Sequence, residues 1–359
     1  MATATVAASQ IEMNPVSADD LKDIIRHIAV RRRKPIFVWG KPGIGKSQIV
    51  AQVAAEFGCD ESNNQFVDIR LGQYDSVDLR GIPVPHDDGT TVWNMPATLP
   101  FKGNKKFNAK AKYIFIFFDE MNGAEKNVLG VTYQILQDRR VGEHVLMDNV
   151  VIICAGNRET DRGVTSRMPT PVANRLKHFE LIEDPDAVCY HFQEIGLPAV
   201  GIAFLQFRKN LLSTFNPASP NKAFATPRSW ESALQDFADE KMPDKIKRQS
   251  IVGTIGKGAA LEFFGFVEIW HKVIPVSKIV KDPMGVELPK EESMRYATAV
   301  NISGSLDLKN CGPLHKFLSR MEPTYCILAW HLAVKRDKAL FATNEYLKMA
   351  NEYKEVFAA

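Results

Sequence analysis

The chain has 359 residues, 45% hydrophobic and 24% charged, the balance of a globular protein and not of a disordered or fibrous one. At that length one core normally gives way to two, so two domains are expected. The 45 Lys and Arg against 42 Asp and Glu leave a formal charge of only +3, which argues against a dedicated nucleic-acid or membrane surface and leaves local patches as the alternative.

The five cysteines are odd in number and form no C-x-x-C pair, and the eight histidines show no ligand spacing, so neither a disulfide framework nor a zinc site is indicated. The first ten residues lack a basic n-region, and no apolar run approaches the roughly 20 residues of a membrane span. A cytoplasmic protein is expected.

Ser17, Asp20 and the pair Val16 and Leu21 read as a capped and stapled helix start, and Leu21, Ile24, Ile25 and Ile28 give it one apolar stripe. The dense basic run Arg31, Arg32, Arg33 and Lys34 that follows is expected to be a solvated helix end. Pro35 stops the helix, and Ile36 to Trp39 is a continuous apolar run suited to a strand buried on both faces. Beyond Ser47, the residues Ile49, Val50, Val53, Ala54 and Phe57 recur at helical spacing, with Gly58 as a stop. Further buried strands are expected over Phe66 to Leu71, Ile114 to Phe118, Val150 to Ala155 and Lys177 to Leu181. Strands and helices in alternation indicate an α/β unit with a mostly parallel sheet.

The 41 residues from Gly72 to Lys112 are too long for an idle connection. Within them Ile82–Pro85 and Thr90–Trp93 flank an Asp88-Gly89 tip, the signature of a hairpin, and its prolines confine it to an edge or a projecting ribbon. A second small hairpin is expected over Val141 to Leu146. A Pro-, Asn- and Ser-containing linker, Asn216 to Thr226, precedes a helix opened by Pro227, with Trp230, Ala233, Leu234 and Phe237 on its apolar face. More helices are expected from about Gly258 to Trp270, over Tyr325 to Lys335 and over Ala339 to Lys348. The expected divisions are a helical segment 1–34, an α/β nucleotide-binding domain 35–215 and a helical lid 216–359.

Gly40-Lys41-Pro42-Gly43-Ile44-Gly45-Lys46-Ser47 satisfies G-x-x-x-x-G-K-[ST] between an expected strand and an expected helix, the context that marks a true phosphate-binding loop. Its glycines let backbone N–H groups turn toward phosphate oxygens at a helix N-terminus. Gly40, Pro42, Gly43, Ile44, Gly45, Lys46, Ser47 and Gln48 are therefore the candidate nucleotide contacts. Lys46 is assigned to the β- and γ-phosphates, and Ser47 to magnesium. The strand Tyr113 to Phe118 delivers Asp119 and Glu120 to its carboxyl end, where open α/β sheets bind ligands. Asp119 is the second magnesium candidate and Glu120 the group that polarises the attacking water. Asn157, after the strand from Val150, reads either as a water-orienting group near the γ-phosphate or as a turn asparagine after Gly156.

These parts in this order resemble the MoxR branch of AAA+ ATPases, in its bacterial and phage-encoded forms. The resemblance is carried by the phosphate-binding loop, by Asp75-Ser76-Val77-Asp78-Leu79-Arg80-Gly81-Ile82-Pro83, by Asp119-Glu120-Met121-Asn122, by Gly156-Asn157-Arg158-Glu159, by Ala173-Asn174-Arg175-Leu176 and by Thr226-Pro227-Arg228-Ser229-Trp230. It implies a hexameric ring that hydrolyses ATP with Mg2+ between subunits. It further implies that Arg175 is the arginine offered to a neighbour's ATP, with Arg167 as second candidate, that Arg228 is the sensor-2 arginine of the lid and that Asn157 is sensor 1. The two hairpins match inserts that face the ring pore in relatives. A protein client is implied, as is a von Willebrand factor A domain partner. A nucleic-acid motor or DNA defence component is the alternative, and the first hairpin, with His86, Asp87 and Asp88 and no Lys or Arg, counts against it. A nucleotide switch without turnover is disfavoured by Glu120.

Overall fold

The computed structural model describes residues 14–158, 161, 168 and 170–354. Its strands are β1 (Pro15–Val16), β2 (Ile36–Trp39), β3 (Phe66–Arg70), β4 (Ile82–Pro85), β5 (Thr91–Asn94), β6 (Ile114–Asp119), β7 (Arg140–Val141), β8 (His144–Val145), β9 (Val150–Gly156) and β10 (Lys177–Leu181). Six of them form one parallel sheet in the order β1-β10-β2-β9-β6-β3. Parallel strands need crossovers, and the helices that supply them cover both faces. Strand alternation sorts the side chains. Ile114, Ile116 and Phe118 of β6 join one apolar cluster with Ile152 and Cys154, while Phe115 and Phe117 join the opposite one with Ile153 and Ala155. The expected α/β fold, a parallel sheet flanked by helices and followed by a mostly helical region, is the one observed.

Helix α1 (Ala18–Ile24) begins with the expected capping box between Ser17 and Asp20, and α2 (Lys46–Glu56) follows the glycine-rich loop 40–45 with Ile49, Val50, Val53 and Ala54 buried. The basic run is not simply a solvated helix end. The helix widens into a π-helical turn over Ile25–Val30, and Arg33 takes a left-handed backbone at φ 53°. Its guanidinium donates to Asn149 O at 2.7 Å and lies 4.9 Å from the centre of the Tyr113 ring. Arg31, Arg32 and Lys34 remain exposed. β1 was not expected; its two residues extend the sheet beside β10 just ahead of the Ser17 cap.

The hairpin β4–β5 has its expected tip, where His86 N–H donates to Thr90 O and Asp88 Oδ1 accepts from Thr90 N–H and Oγ1–H. The second hairpin pairs β7 with β8, and Glu143 at its turn accepts from Trp93 N–H at 3.2 Å. α3 (Ser76–Arg80), α4 (Lys126–Asp138) and the short α5 (Thr170–Ala173) complete this region.

By contacts the chain divides into two units. One holds the described residues up to Ala187 together with Phe215–Asn221 and Thr226–Arg228. The other holds Val188–Thr214, Lys222–Ala225 and the described residues from Ser229 onward. The division thus precedes the 216–226 linker, because α6 (Pro185–Glu194) and α7 (Ala199–Phe207) bury Cys189, Phe192 and Phe204 in the helical core. The remaining helices are α8 (Pro227–Ala238), α9 (Asp244–Ile255), α10 (Lys257–Trp270), α11 (Val276–Lys281), α12 (Glu292–Ser305), α13 (Cys311–Leu318), α14 (Pro323–Arg336) and α15 (Asn344–Glu352). Phe204, Trp230 and Phe263 pack with ring centres 5.5 to 5.7 Å apart, and the Trp230 indole N–H is satisfied by Leu211 O at 2.8 Å. The helix expected over Ala339 to Lys348 is instead a 3-10 turn, Lys338–Ala342, and then α15. Thr343 interrupts it by capping the second piece, its side chain accepting from Tyr346 N–H.

Candidate active site

Sheet order determines which motifs meet. β2 runs into the glycine-rich loop, β6 ends on Asp119, and β9, which ends at Gly156, lies between them. Asn157 therefore emerges between Lys46 and Asp119. The Lys46 ammonium donates to Gly40 O at 2.7 Å, Lys41 O at 3.1 Å and Asn157 Oδ1 at 3.0 Å. Those three acceptors leave it satisfied but exchangeable, since phosphate oxygens can replace them. Burial pushes the Lys46 pKa down to about 8; Asp119 and Asp161 oppose the shift, and Arg228 and Arg158 add to it.

Gly43 and Gly45 hold φ values of 74° and 102°, the left-handed region open to glycine. A side chain at Gly43 is also excluded by space, because a Cβ there would sit 2.8 Å from Thr226 Oγ1. Arg228 N–H donates to Gly43 O at 3.3 Å, so the Thr226–Arg228 segment is fastened to the loop backbone. Pro42 and Ile44 complete the loop, with Ile44 buried, while Gln48 is exposed one turn into α2.

The Ser47 hydroxyl donates to Asp119 Oδ2 at 3.0 Å. A hydroxyl and a carboxylate so close are hard oxygen donors of the kind Mg2+ takes from protein, leaving most of its shell to water and phosphate. Glu120 is exposed and one of four described non-glycine residues at positive φ, 52°, and its carboxylate lies over Gly72 beyond the end of β3. Strain of this kind costs on the order of 1–2 kcal/mol and here turns consecutive carboxylates toward one end of the sheet. Nearby on β3, Asp68 Oδ1 is buried with no partner, and burial followed by the Asp119 charge raises its pKa.

Asn122 did not stand out in the sequence beyond its place after Glu120. It is 3% exposed, and its amide donates to Asn157 O at 2.7 Å, tying the ends of β6 and β9 together. Gly156 admits it, since a Cβ there would fall 2.2 Å from Asn122 Oδ1 and 2.8 Å from Phe37 Cζ. Arg158 pairs with Glu180, and its backbone N–H donates to Asp161, which is also buried. Arg175, in the turn after α5, is exposed and pairs with no carboxylate among the described residues. Among the described residues no hydrogen bond or ion pair joins its side chain to the Lys46 cluster. Arg167 and Glu159 lie outside the described residues. Among the described residues no group of three or more His, Cys, Asp or Glu could hold a metal, and no helix is long and apolar enough to cross a membrane.

No protein-family model matches the chain. Heat shock protein 100 of Trypanosoma brucei brucei is 29% identical over 127 residues, which are 33% of this chain and 13% of that protein. The chain thus aligns with a small part of that relative's length. Among solved structures, NtrX from Brucella abortus in complex with ADP is similar with a TM-score of 0.39 and 13% identity, over 98% of this chain and 69% of that one. The closed state of Hsp104 with ATPγS and FITC casein is similar with a TM-score of 0.37 and 17% identity, over 70% of this chain and 46% of that one. These likenesses are remote, and the site is defined by its own geometry.

Proposed function

We propose that the chain is an AAA+ ATPase of the MoxR type that hydrolyses ATP between the subunits of a hexameric ring and uses the cycle to remodel or mature a protein partner. The observation that carries the ATPase reading is the convergence of Lys46, Ser47, Asp119, Glu120 and Asn157 on the carboxyl ends of three adjacent strands, with Lys46 held to Asn157 and Ser47 to Asp119. In this reading the loop N–H groups from Gly40 to Gln48 cradle the phosphates and Lys46 holds the β- and γ-oxygens. Glu120 accepts the proton of the attacking water, and Asn157 orients that water. Magnesium held by Ser47 and Asp119 would neutralise charge on the β- and γ-oxygens. Arg228 supports the site at the loop. Arg175, exposed and unclaimed by a carboxylate among the described residues, completes the site of the next subunit, with Arg167 as the other candidate.

A protein client, presented by a von Willebrand factor A domain partner, is supported by the hairpins. Ile82, Val84 and Val92 of the first and Val145 of the second are exposed, and residues 82–94 include no Lys or Arg. Lys46→Ala is expected to abolish tight ATP binding, whereas Glu120→Gln is expected to bind ATP and stop turnover. Titration with a fluorescent ATP analogue beside a phosphate-release assay separates the two, and normal hydrolysis by either variant refutes the assigned roles. Crosslinking of an unfolded polypeptide to the exposed hairpin valines in the Glu120→Gln protein tests the client. A DNA-stimulated ATPase with steep salt dependence would overturn it.

A further inference from the structure

His178 belongs to no part of the hydrolysis apparatus, yet it joins two parts of it. It lies in β10 opposite Phe37 of β2, with its ring centre 6.0 Å from that of Trp39. The Trp39 indole N–H donates to His178 Nδ1 at 3.0 Å, and His178 Nε2 is 2.8 Å from Ala173 O. An indole nitrogen only donates and a carbonyl only accepts, so both contacts are satisfied by one state of the ring: neutral, with its hydrogen on Nε2. Trp39 is the last residue of β2, directly before Gly40, and it is buried. Ala173 is the last residue of α5, and Arg175 follows in a turn closed by Arg175 N–H to Val172 O at 2.9 Å and Leu176 N–H to Ala173 O at 3.2 Å. One imidazole thus spans the gap between the strand that becomes the phosphate-binding loop and the turn that displays Arg175.

We propose that His178 is a positioning residue that holds the Arg175 turn in register with the β2 strand, so that each subunit presents its arginine to the neighbour's nucleotide at the right reach. This rests on the reading of Arg175 as an in-trans group. Arg175 leaves an exposed turn on a long side chain, and a turn free to shift by about 1 Å costs on the order of 100-fold in a reaction that depends on placement. The neutral ring serves this task because it is a donor on one edge and an acceptor on the other, a combination that phenylalanine lacks and glutamine can imitate.

Subunit mixing gives the test, since it sorts variants by which half of a shared site they lack. His178→Phe removes both hydrogen bonds and keeps an aromatic ring. It is expected to bind ADP within about threefold of wild type, and to lose about 10- to 100-fold in turnover as a homogeneous protein. Mixed with Lys46→Ala it should recover activity, because the first supplies a sound loop and the second a sound arginine. Mixed with Arg175→Ala it should recover none, since both lack a placed arginine. His178→Gln should retain more turnover than His178→Phe. A defect confined to packing around the loop gives the reverse pattern, with rescue by Arg175→Ala and none by Lys46→Ala, and overturns the proposal; so does wild-type turnover in His178→Phe. Should His178→Phe not fold, Trp39→Phe replaces it and is expected in the Arg175 complementation group, and its appearance in the Lys46 group is equally fatal. Arg175→Ala mixed with Lys46→Ala is run alongside. If that pair fails to complement despite confirmed subunit exchange, the in-trans reading itself falls and this inference falls with it.

Discussion

Nucleotide binding is expected to draw a proton onto the protein at mildly alkaline pH, and Lys46 is its destination. Burial holds the Lys46 pKa at about 8 instead of 10.5. Phosphate oxygens would bring at least two negative charges against the ammonium, and opposite charge at hydrogen-bond distance favours the charged form. Restoring the ordinary value corresponds to about 3 kcal/mol, roughly 300-fold in affinity. Binding should therefore take up about a tenth of a proton at pH 7, about half at pH 8 and about nine-tenths at pH 9. Calorimetric titration of ADP into Glu120→Gln protein, in HEPES and in Tris at each pH, counts the protons from the dependence of heat on buffer ionisation. Affinity should fall about tenfold per pH unit above pH 8 until the bound-state pKa is reached. Lys46→Arg, charged throughout this range, should take up none. Undiminished ADP binding at pH 8 and 9 with no uptake would rule out Lys46 as the proton's destination. Between pH 8 and 10.5 the unfolded chain holds the Lys46 proton that the folded chain has lost, so this group makes stability rise with pH there, and its penalty is present in full below pH 8. Wild type should accordingly gain melting temperature on Lys46→Met as pH rises from 8 to 10.

Gly43→Ala is expected to cost about 1–2 kcal/mol in the backbone alone and to push Thr226 away from the loop, weakening ADP binding at least tenfold by fluorescence titration; Thr226→Ala in the same chain should restore only part, since φ stays at 74°. Gly156→Ala has no room beside Asn122 and Phe37 and should lower stability by about 1–3 kcal/mol in chemical denaturation, whereas unchanged stability would mean that Asn122 and Phe37 yield without cost. Asn122→Ala should leave Asn157 O unpaired and loosen the end of β9, reducing kcat more than ADP affinity; a purely binding defect would contradict this.

The sequence made the candidate site legible because parallel strands buried on both faces appear as unbroken apolar runs, and here each leads to one of the groups that meet there. Ile36–Trp39 leads to the glycines, Ile114–Asp119 ends on its carboxylate and Val150–Gly156 leads to Asn157. The first hairpin was legible from Asp88-Gly89. Much of the helical region was not. In α7, Val200 to Leu205 are six consecutive buried residues, which erases the amphipathic period that reveals a helix, and so the helical core was expected to begin later than it does. β1, at two residues, carries no pattern at all. Asn122 and His178 were missed for another reason: their partners lie 35 and 139 residues away, and such partnerships exist only once the sheet order is known.

That order also explains why the two motifs most easily read are incomplete without a third. The strands that lead to Lys46 and Asp119 are not neighbours; β9 separates them, and its end adds a second link beside the direct Ser47–Asp119 hydrogen bond. Asn157 reaches Lys46 through its side chain and Asn122 through its carbonyl, so one residue relates the cation of the loop to the acidic turn after β6. A turn asparagine and a water-orienting asparagine were alternatives on spacing alone. The backbone carbonyl is fixed by Asn122 and the side chain is aimed at Lys46, so the residue both closes the turn and faces the loop cation. The same logic places Gly156, since the contact that orders Asn157 passes through the volume a side chain would fill. A chain free to place any residue at 156 would lose the contact between the strand ends before it lost the strand.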